Sequence, residues 1–151
     1  MKIKLTLKDC GTGAGGFKPG NTCASGGGSS SRGSGGTPGR SPAASSPHTP
    51  PDALDKLSTN WDAFVRIDVA KNPKTPSATL DKLSKDEHGR VRYEVAQNRS
   101  TPPDTLAAMS KDVDVSVRRG VADNPNTPQA TLARLASEDD DLGVRVAAER
   151  F

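Results

Sequence analysis

Histidine, cysteine and long apolar runs are all scarce in this 151-residue chain, and each shortage closes off a class of function. The two histidines, His48 and His88, sit in or beside turn-forming stretches, and the two cysteines are Cys10 and Cys23. No Ser/His/Asp or Cys/His constellation can be assembled from so few groups, so an enzyme is not expected. Two thiolates without a neighbouring histidine fall short of the four ligands of a zinc or iron–sulfur site. No cofactor and no metal ion is expected, and free thiols are the expected state, with a disulfide or a metal shared between molecules as the alternatives. No apolar run approaches the roughly 20 residues a membrane-spanning helix needs. The opening MKIKLTLKDC has lysines but lacks the continuous apolar core of a secretory signal. A cytoplasmic chain follows as the default.

Glycine is nearly absent from the last two-thirds of the chain. Residues 1–48 hold 12 of the 15 glycines, together with eight serines. Within them, 1–24 form a Gly-rich segment with a strand-like start at Ile3–Leu7. Residues 25–48 read as a flexible Gly/Ser/Pro linker with almost nothing to bury. The charge divides at the same point. Residues 1–48 carry six bases and one acid, whereas 49–151 carry 15 bases and 17 acids. The net +3 therefore belongs to the tail (Lys2, Lys4, Lys8 and Lys18 among its bases), and the remainder has no overall cationic balance to wrap a nucleic acid.

Residues 49–151 are periodic. Thr49-Pro50, Thr75-Pro76, Thr101-Pro102 and Thr127-Pro128 recur every 26 residues. Each is followed at a fixed offset by Leu54, Leu80, Leu106 or Leu132, and then by Leu57, Leu83, Met109 or Leu135. A constant period of this length marks stacked repeats, here 49–74, 75–100, 101–126 and 127–151. Within a repeat the threonine is placed to cap a helix that starts at the proline. The two leucines share one face of that helix. A polar turn then opens a second helix with a buried stripe, Val91 and Val95 in the second repeat. Asn98 is placed to end that helix in a left-handed conformation. One repeat cannot bury its apolar face alone, so neighbours must stack. The expected fold is an all-α superhelical solenoid of four two-helix repeats. Trp61 and Phe64 are unique to the first repeat and are expected to cover its open end. The fourth repeat, with Glu149 and Phe151 at otherwise recurrent positions, has the look of a cap.

The phrase Asn-Pro-x-Thr-Pro, Leu-x-x-Leu, Val-Arg-x-x-Val-Ala-x-Asn resembles the leucine-rich repeat variant family, whose repeats are HEAT-like α-solenoids. The resemblance covers residues 49–151. It implies a superhelix that alternates an α-helix with a second helix, α or 3₁₀, and it implies neither an activity nor an agreed ligand. The 26-residue period is slightly longer than the family's usual one. Some members carry an N-terminal iron–sulfur module, which Cys10 and Cys23 alone do not supply. The stretch around Gly20-Asn21-Thr22-Cys23-Ala24 is similar to a short phrase near the ends of some phage structural proteins, so a phage or bacterial source is plausible.

Three other features invite functional readings. Arg66, Arg92, Arg118 and Arg145 form a ladder, one per repeat. The structural reading pairs each with an acid of its own or the neighbouring repeat; Asp62, Asp114 and Asp141 lie four residues before three of them. The functional reading draws Arg90, Arg92, Arg118 and Arg119 into a basic stripe for nucleic acid. Gly11-Thr-Gly13-Ala-Gly15-Gly16 satisfies G-x-G-x-x-G, but Pro19 and further glycines follow where a dinucleotide site needs a helix. Asn98-Arg99-Ser100 matches a glycosylation triplet without a secretory signal to use it. Positions that vary among repeats point to a non-catalytic protein-interaction scaffold, with Trp61, Ile67, Tyr93 and Arg119 as candidate anchors. Nucleic-acid binding through the arginines is the alternative, and redox or metal chemistry at the cysteines a third.

Overall fold

The computed structural model describes residues 41–151. The cysteines, the glycine motif, the strand-like start and the tail lysines lie outside this range. Nine helices run through the described residues: α1 Pro42–Ser45, α2 Pro51–Leu57, α3 Ala63–Lys71, α4 Ser77–Leu83, α5 Gly89–Gln97, α6 Pro103–Met109, α7 Val115–Ala122, α8 Gln129–Glu138 and α9 Leu142–Ala148. The pairs α2–α3, α4–α5, α6–α7 and α8–α9 are the four repeats, and both members of each are α-helical. The second helices stack in sequence: α3 packs on α1, α5 on α3, α7 on α5 and α9 on α7. One continuous core runs along the stack. Leu54, Leu80 and Leu106, Val91, Val117 and Val144, and Val69, Val95 and Val121 are all fully buried within it.

Helix α1 corrects the sequence reading. Residues 41–48, assigned to the linker, fold as half a repeat. Ala44 is fully buried and stands 26 residues before Ala70. The backbone carbonyls of Ala44 and Ser46 receive the Asn72 side chain, as those of Ala70 and Asn72 receive Asn98. This half repeat packs on α3, while Trp61 stays 90% exposed and Phe64 61% exposed rather than closing the end of the stack.

Three periodic residues have roles other than the expected ones. The proline after each threonine takes the N-cap, with extended backbone at Pro50, Pro76, Pro102 and Pro128. The threonine does not cap the helix ahead. Its hydroxyl turns back and donates to the last turn of the helix behind: Thr75 to Val69 O, Thr101 to Val95 O and Thr127 to Val121 O, each at 2.6 Å. Asn98 is extended at φ −72°, not left-handed; its backbone N–H and the Thr101 hydroxyl meet Val95 O at the end of α5, and its side chain serves the end of α3 in the preceding repeat. Its amide nitrogen donates to Ala70 O at 2.7 Å and Asn72 O at 3.0 Å, and its side-chain oxygen accepts from the Ser100 N–H at 2.8 Å. Asn124 repeats the arrangement one period on, donating to Ala96 O and Asn98 O. These asparagines occupy buried helix ends, where orphan carbonyls need donors and water does not reach.

Gly120 lets α7 pack closely on α5. A Cβ there would lie 3.1 Å from Ala96 Cβ and 3.5 Å from the Tyr93 ring. A larger side chain in α7 would therefore push α5 away.

Candidate functional site

Three members of the arginine ladder, Arg66, Arg92 and Arg118, clamp neighbouring repeats together, whereas Arg145 donates, among the described residues, only to Asp139 O in its own repeat. Arg66 Nε donates to Asp86 Oδ2 at 2.7 Å and its Nη2 to Asp86 Oδ1 at 3.0 Å. Arg92 grips Asp112 with the same two distances, and Arg118 grips Asp139 at 2.7 and 3.1 Å. The partner acid lies in the polar turn of the following repeat, 20 residues on, or 21 on in the fourth repeat with its extra turn residue. The remaining nitrogen, Nη1, donates to a carbonyl six residues back, Asn60, Asp86 and Asp112 respectively. Each planar guanidinium is thus shared between two repeats in the bidentate geometry that lysine cannot provide.

Asp62 and Asp114, four residues before an arginine, do not pair with it. They cap helices, accepting from the Phe64 and Ser116 N–H groups at 2.9 and 2.8 Å, and Asp141 caps α9 from Val144. Burial works to raise the Asp86 and Asp112 carboxyls. The hydrogen bonds from Arg66 and Arg92 and from one backbone N–H each, with the guanidinium charge, outweigh it and hold both below the ordinary carboxylate value. At Asp139 the hydrogen bond from Arg118 is the leading cause, and it acts in the same direction. The arginines are correspondingly raised, chiefly by their hydrogen bonds to these acids.

This accounting divides the arginines proposed as a basic stripe. Arg92 and Arg118 are spent on neighbouring repeats, their side chains only 15% and 14% exposed. Arg90 and Arg119 face outward. Arg90 lies 2.7 Å from Glu94 and stacks 4.9 Å above the Tyr93 ring. Arg119 Nε lies 4.0 Å from Asp123. The four residues therefore do not form one free cationic row.

The predicted anchors also separate. Ile67 is only 8% exposed and joins the core, so it is not an exposed anchor. Tyr93 is half-buried against that core, with its hydroxyl accepting from Gln97 Nε2 at 2.8 Å. Trp61 is fully outward in the turn before α3, and Arg119 is exposed on α7. What the sequence reading missed is the polar row between these positions. Asp68 on α3 and Glu94 on α5 occupy equivalent places 26 residues apart, both more than nine-tenths buried. Gly120 continues the row on α7. The signal available was the fixed offset, which pairs two acids at a position flanked by core residues.

The outer surface of α3, α5 and α7 is therefore built from Phe64, Arg90, Tyr93, Gln97, Arg119 and Asp123, no two repeats alike. A cleft of about 230 Å³ opens on it between Phe64, Ile67, Asp68, Lys71 and Arg90. A larger one, about 330 Å³, lies between α4 and α6, lined by Asp81, Lys85, Asp104 and Asp112 among others. No group of three or more metal-ligating side chains is found among the described residues. No helix among them is long and apolar enough to cross a membrane.

Residues 116–141 match the family model described as leucine rich repeat variant. That window holds one full 26-residue period. It runs from the first turn of α7 to the aspartate that caps α9, and includes Arg118, Asn124, Thr127 and Asp139. The match agrees with the resemblance carried by the repeated phrase. A solved structure described as a leucine-rich repeat variant with a novel repetitive protein structural motif is 21% identical, covering 68% of this chain and 51% of that one, with a TM-score of 0.31. The chain thus spans about half the length of that protein. No curated protein matches the chain.

Proposed function

We propose that this domain is a non-catalytic scaffold that binds another protein through the outer surface of α3, α5 and α7. The observation that carries this reading is the division of labour among residue positions. The recurrent polar residues are consumed in holding the stack: Thr75, Arg92 and Asn98, with their equivalents, all bond within or between repeats. Among the residues that differ between repeats, several are left outward, including an arginine stacked on a tyrosine and an exposed phenylalanine. Aromatic and arginine side chains carry a disproportionate share of interface energy. The alternative, a nucleic-acid grip by the arginine ladder, loses two of its four carriers to Asp112 and Asp139.

A photo-crosslinking amino acid placed at Tyr93, and separately at the exposed Ala133 on α8, tests this in the native host. A discrete protein adduct from position 93 that is absent from position 133, and lost on Arg119→Ala, is expected. Adducts of equal yield from both positions, or crosslinks only to nucleic acid, would refute it.

A further inference from the structure

The row Asp68, Glu94, Gly120 carries its own explanation of how a buried acid is tolerated. Glu94 lies on α5 with 8% of its side chain exposed, and two cations attend it. Arg90, one turn earlier on the same helix, places Nη2 2.7 Å from Oε1, and Lys71, on the preceding repeat, places Nζ at 3.7 Å. In the next repeat the acid is replaced by Gly120, and both cation positions are neutral too: Ser116 stands where Arg90 stood and Gln97 where Lys71 stood. Acid and cations come and go together, as burial of a charge requires.

The first repeat breaks the rule. Asp68 is 5% exposed, and its Oδ2, like Glu94 Oε1, is buried without a hydrogen-bond donor among the described residues; unlike Glu94 it also has no cation among them within 4 Å. The position equivalent to Lys71 is Ser45, at the end of α1, too short to reach as a cation. The position equivalent to Arg90 is Phe64, whose ring is 61% exposed. Lys71, three residues along the same helix, is directed to Glu94. Asp68 lines two clefts, one of about 230 Å³ that it shares with Phe64, Ile67, Lys71 and Arg90, and one of about 180 Å³ that it shares with Ser45 and Lys71; both cations are drawn to Glu94 rather than to Asp68. A carboxylate with no cation or hydrogen-bond donor of its own among the described residues thus borders an opening lined by the exposed Phe64 ring.

We infer that this cleft takes the alkylammonium or guanidinium head of a lysine or arginine side chain from a partner polypeptide. The head pairs with Asp68 in the place that Lys71 and Arg90 fill for Glu94. The side chain's methylenes lie on Phe64. This rests on the reading of the α3–α5–α7 surface as a protein-binding one, and it names the partner's chemistry at that surface.

The test is a ¹H–¹⁵N titration of the full chain with three probes: a blocked Gly-Lys-Gly peptide, the same peptide with norleucine for lysine, and butylammonium. The lysine peptide should bind weakly and saturably, with shifts centred on Phe64, Asp68 and Lys71. Asp68→Asn should weaken it roughly tenfold or more, the usual share of a charge-assisted hydrogen bond. Ser45→Lys, which restores the missing cation from within, should block the peptide and raise the thermal midpoint, but not in the Asp68→Asn background. The norleucine peptide should leave those resonances unmoved. Binding unchanged by Asp68→Asn, no localised shift, or a Ser45→Lys gain that persists without Asp68 would overturn the assignment. Butylammonium binding as well as the peptide would overturn the polypeptide source. Because the probes are defined peptides, absence of a crosslinked host protein would count against the proposed function without deciding this site.

Discussion

Replacing Arg92 by methionine tests the clamp between the second and third repeats directly. The methionine keeps most of the aliphatic volume and removes the guanidinium, so Asp112 loses both of its 2.7 and 3.0 Å bonds while keeping only the N–H of Asp114. The carbonyl of Asp86 loses its donor as well. Stripping one partner from a buried ion pair costs about 3–5 kcal/mol when the survivor is fully enclosed. Here a sliver of each side chain meets water, 15% for Arg92 and 10% for Asp112. The expected loss is therefore about 2–3 kcal/mol, at or just below the bottom of that range. For a domain of this size that lowers the thermal midpoint by on the order of 10 °C or more. Urea melts followed by circular dichroism measure the loss, and a double-mutant cycle with Asp112→Leu separates the pair from each residue's other contacts. The Arg92→Met/Asp112→Leu double variant should recover most of the stability, since an apolar pair of similar volume leaves no orphan charge. A single-variant loss below about 1 kcal/mol, the level of an exposed surface pair, would show that water screens the contact and that the ladder is not what joins the repeats.

Three other outcomes are expected. Asn98→Ala removes the donor to Ala70 O and Asn72 O and the acceptor for Ser100 N–H, all at a buried helix end, and should cost about 2–4 kcal/mol in the same melts; Asn98→Asp, which keeps the acceptor but not the donor, should not rescue it. Acidification should unfold the domain through Asp86, Asp112 and Asp139: each is held below its unfolded value in the native state, so their stabilisation is complete above roughly pH 4 and is lost as pH falls below it, and Arg92→Met should flatten that dependence. Gly120→Leu should separate α5 from α7, because even a Cβ there meets Ala96 at 3.1 Å; a loss of about 1–3 kcal/mol with faster amide exchange in both helices is expected, and an unchanged melt would mean the helices have slack.

The helical repeat architecture was legible because its determinants are apolar and periodic. Leu80, Leu83, Val91 and Val95 announce two helical faces, and the 26-residue spacing says that those faces stack. The polar residues were legible as recurrent but not in their roles. A threonine before proline is ordinarily an N-cap, yet Thr75 serves the helix behind it, because a buried carbonyl at Val69 needs a donor more than the α4 start needs an acceptor. Asn98 was misread for a related reason: local rules describe a helix end in isolation, whereas the partners of this side chain lie 26 and 28 residues away. Helix α1 was hidden by composition, its one large contribution to the core being an alanine in a Ser/Pro-rich stretch. The offset from Pro47 to Pro73 and from Ala44 to Ala70 was nonetheless present to be used. Ile67 was offered as a surface anchor because it varies between repeats, but variation marks freedom from the repeat rule, not exposure. Asp68, without a partner among the described residues, needed both the burial and the equivalences with Lys71 and Arg90 before it stood out.

The asparagine and arginine bonds run in opposite directions along the chain: Asn98 reaches back to the second helix before it, and Arg92 reaches forward to the turn after it. The two seams that join the first three repeats each carry both stitches, whereas the seam between the third and fourth keeps the arginine alone, Phe151 standing where the asparagine recurs. Copying a 26-residue block in tandem reproduces both halves of each stitch at the new junction, so the gene can grow by duplication with no compensating change elsewhere. A cut inside a block would leave one thread loose on either side.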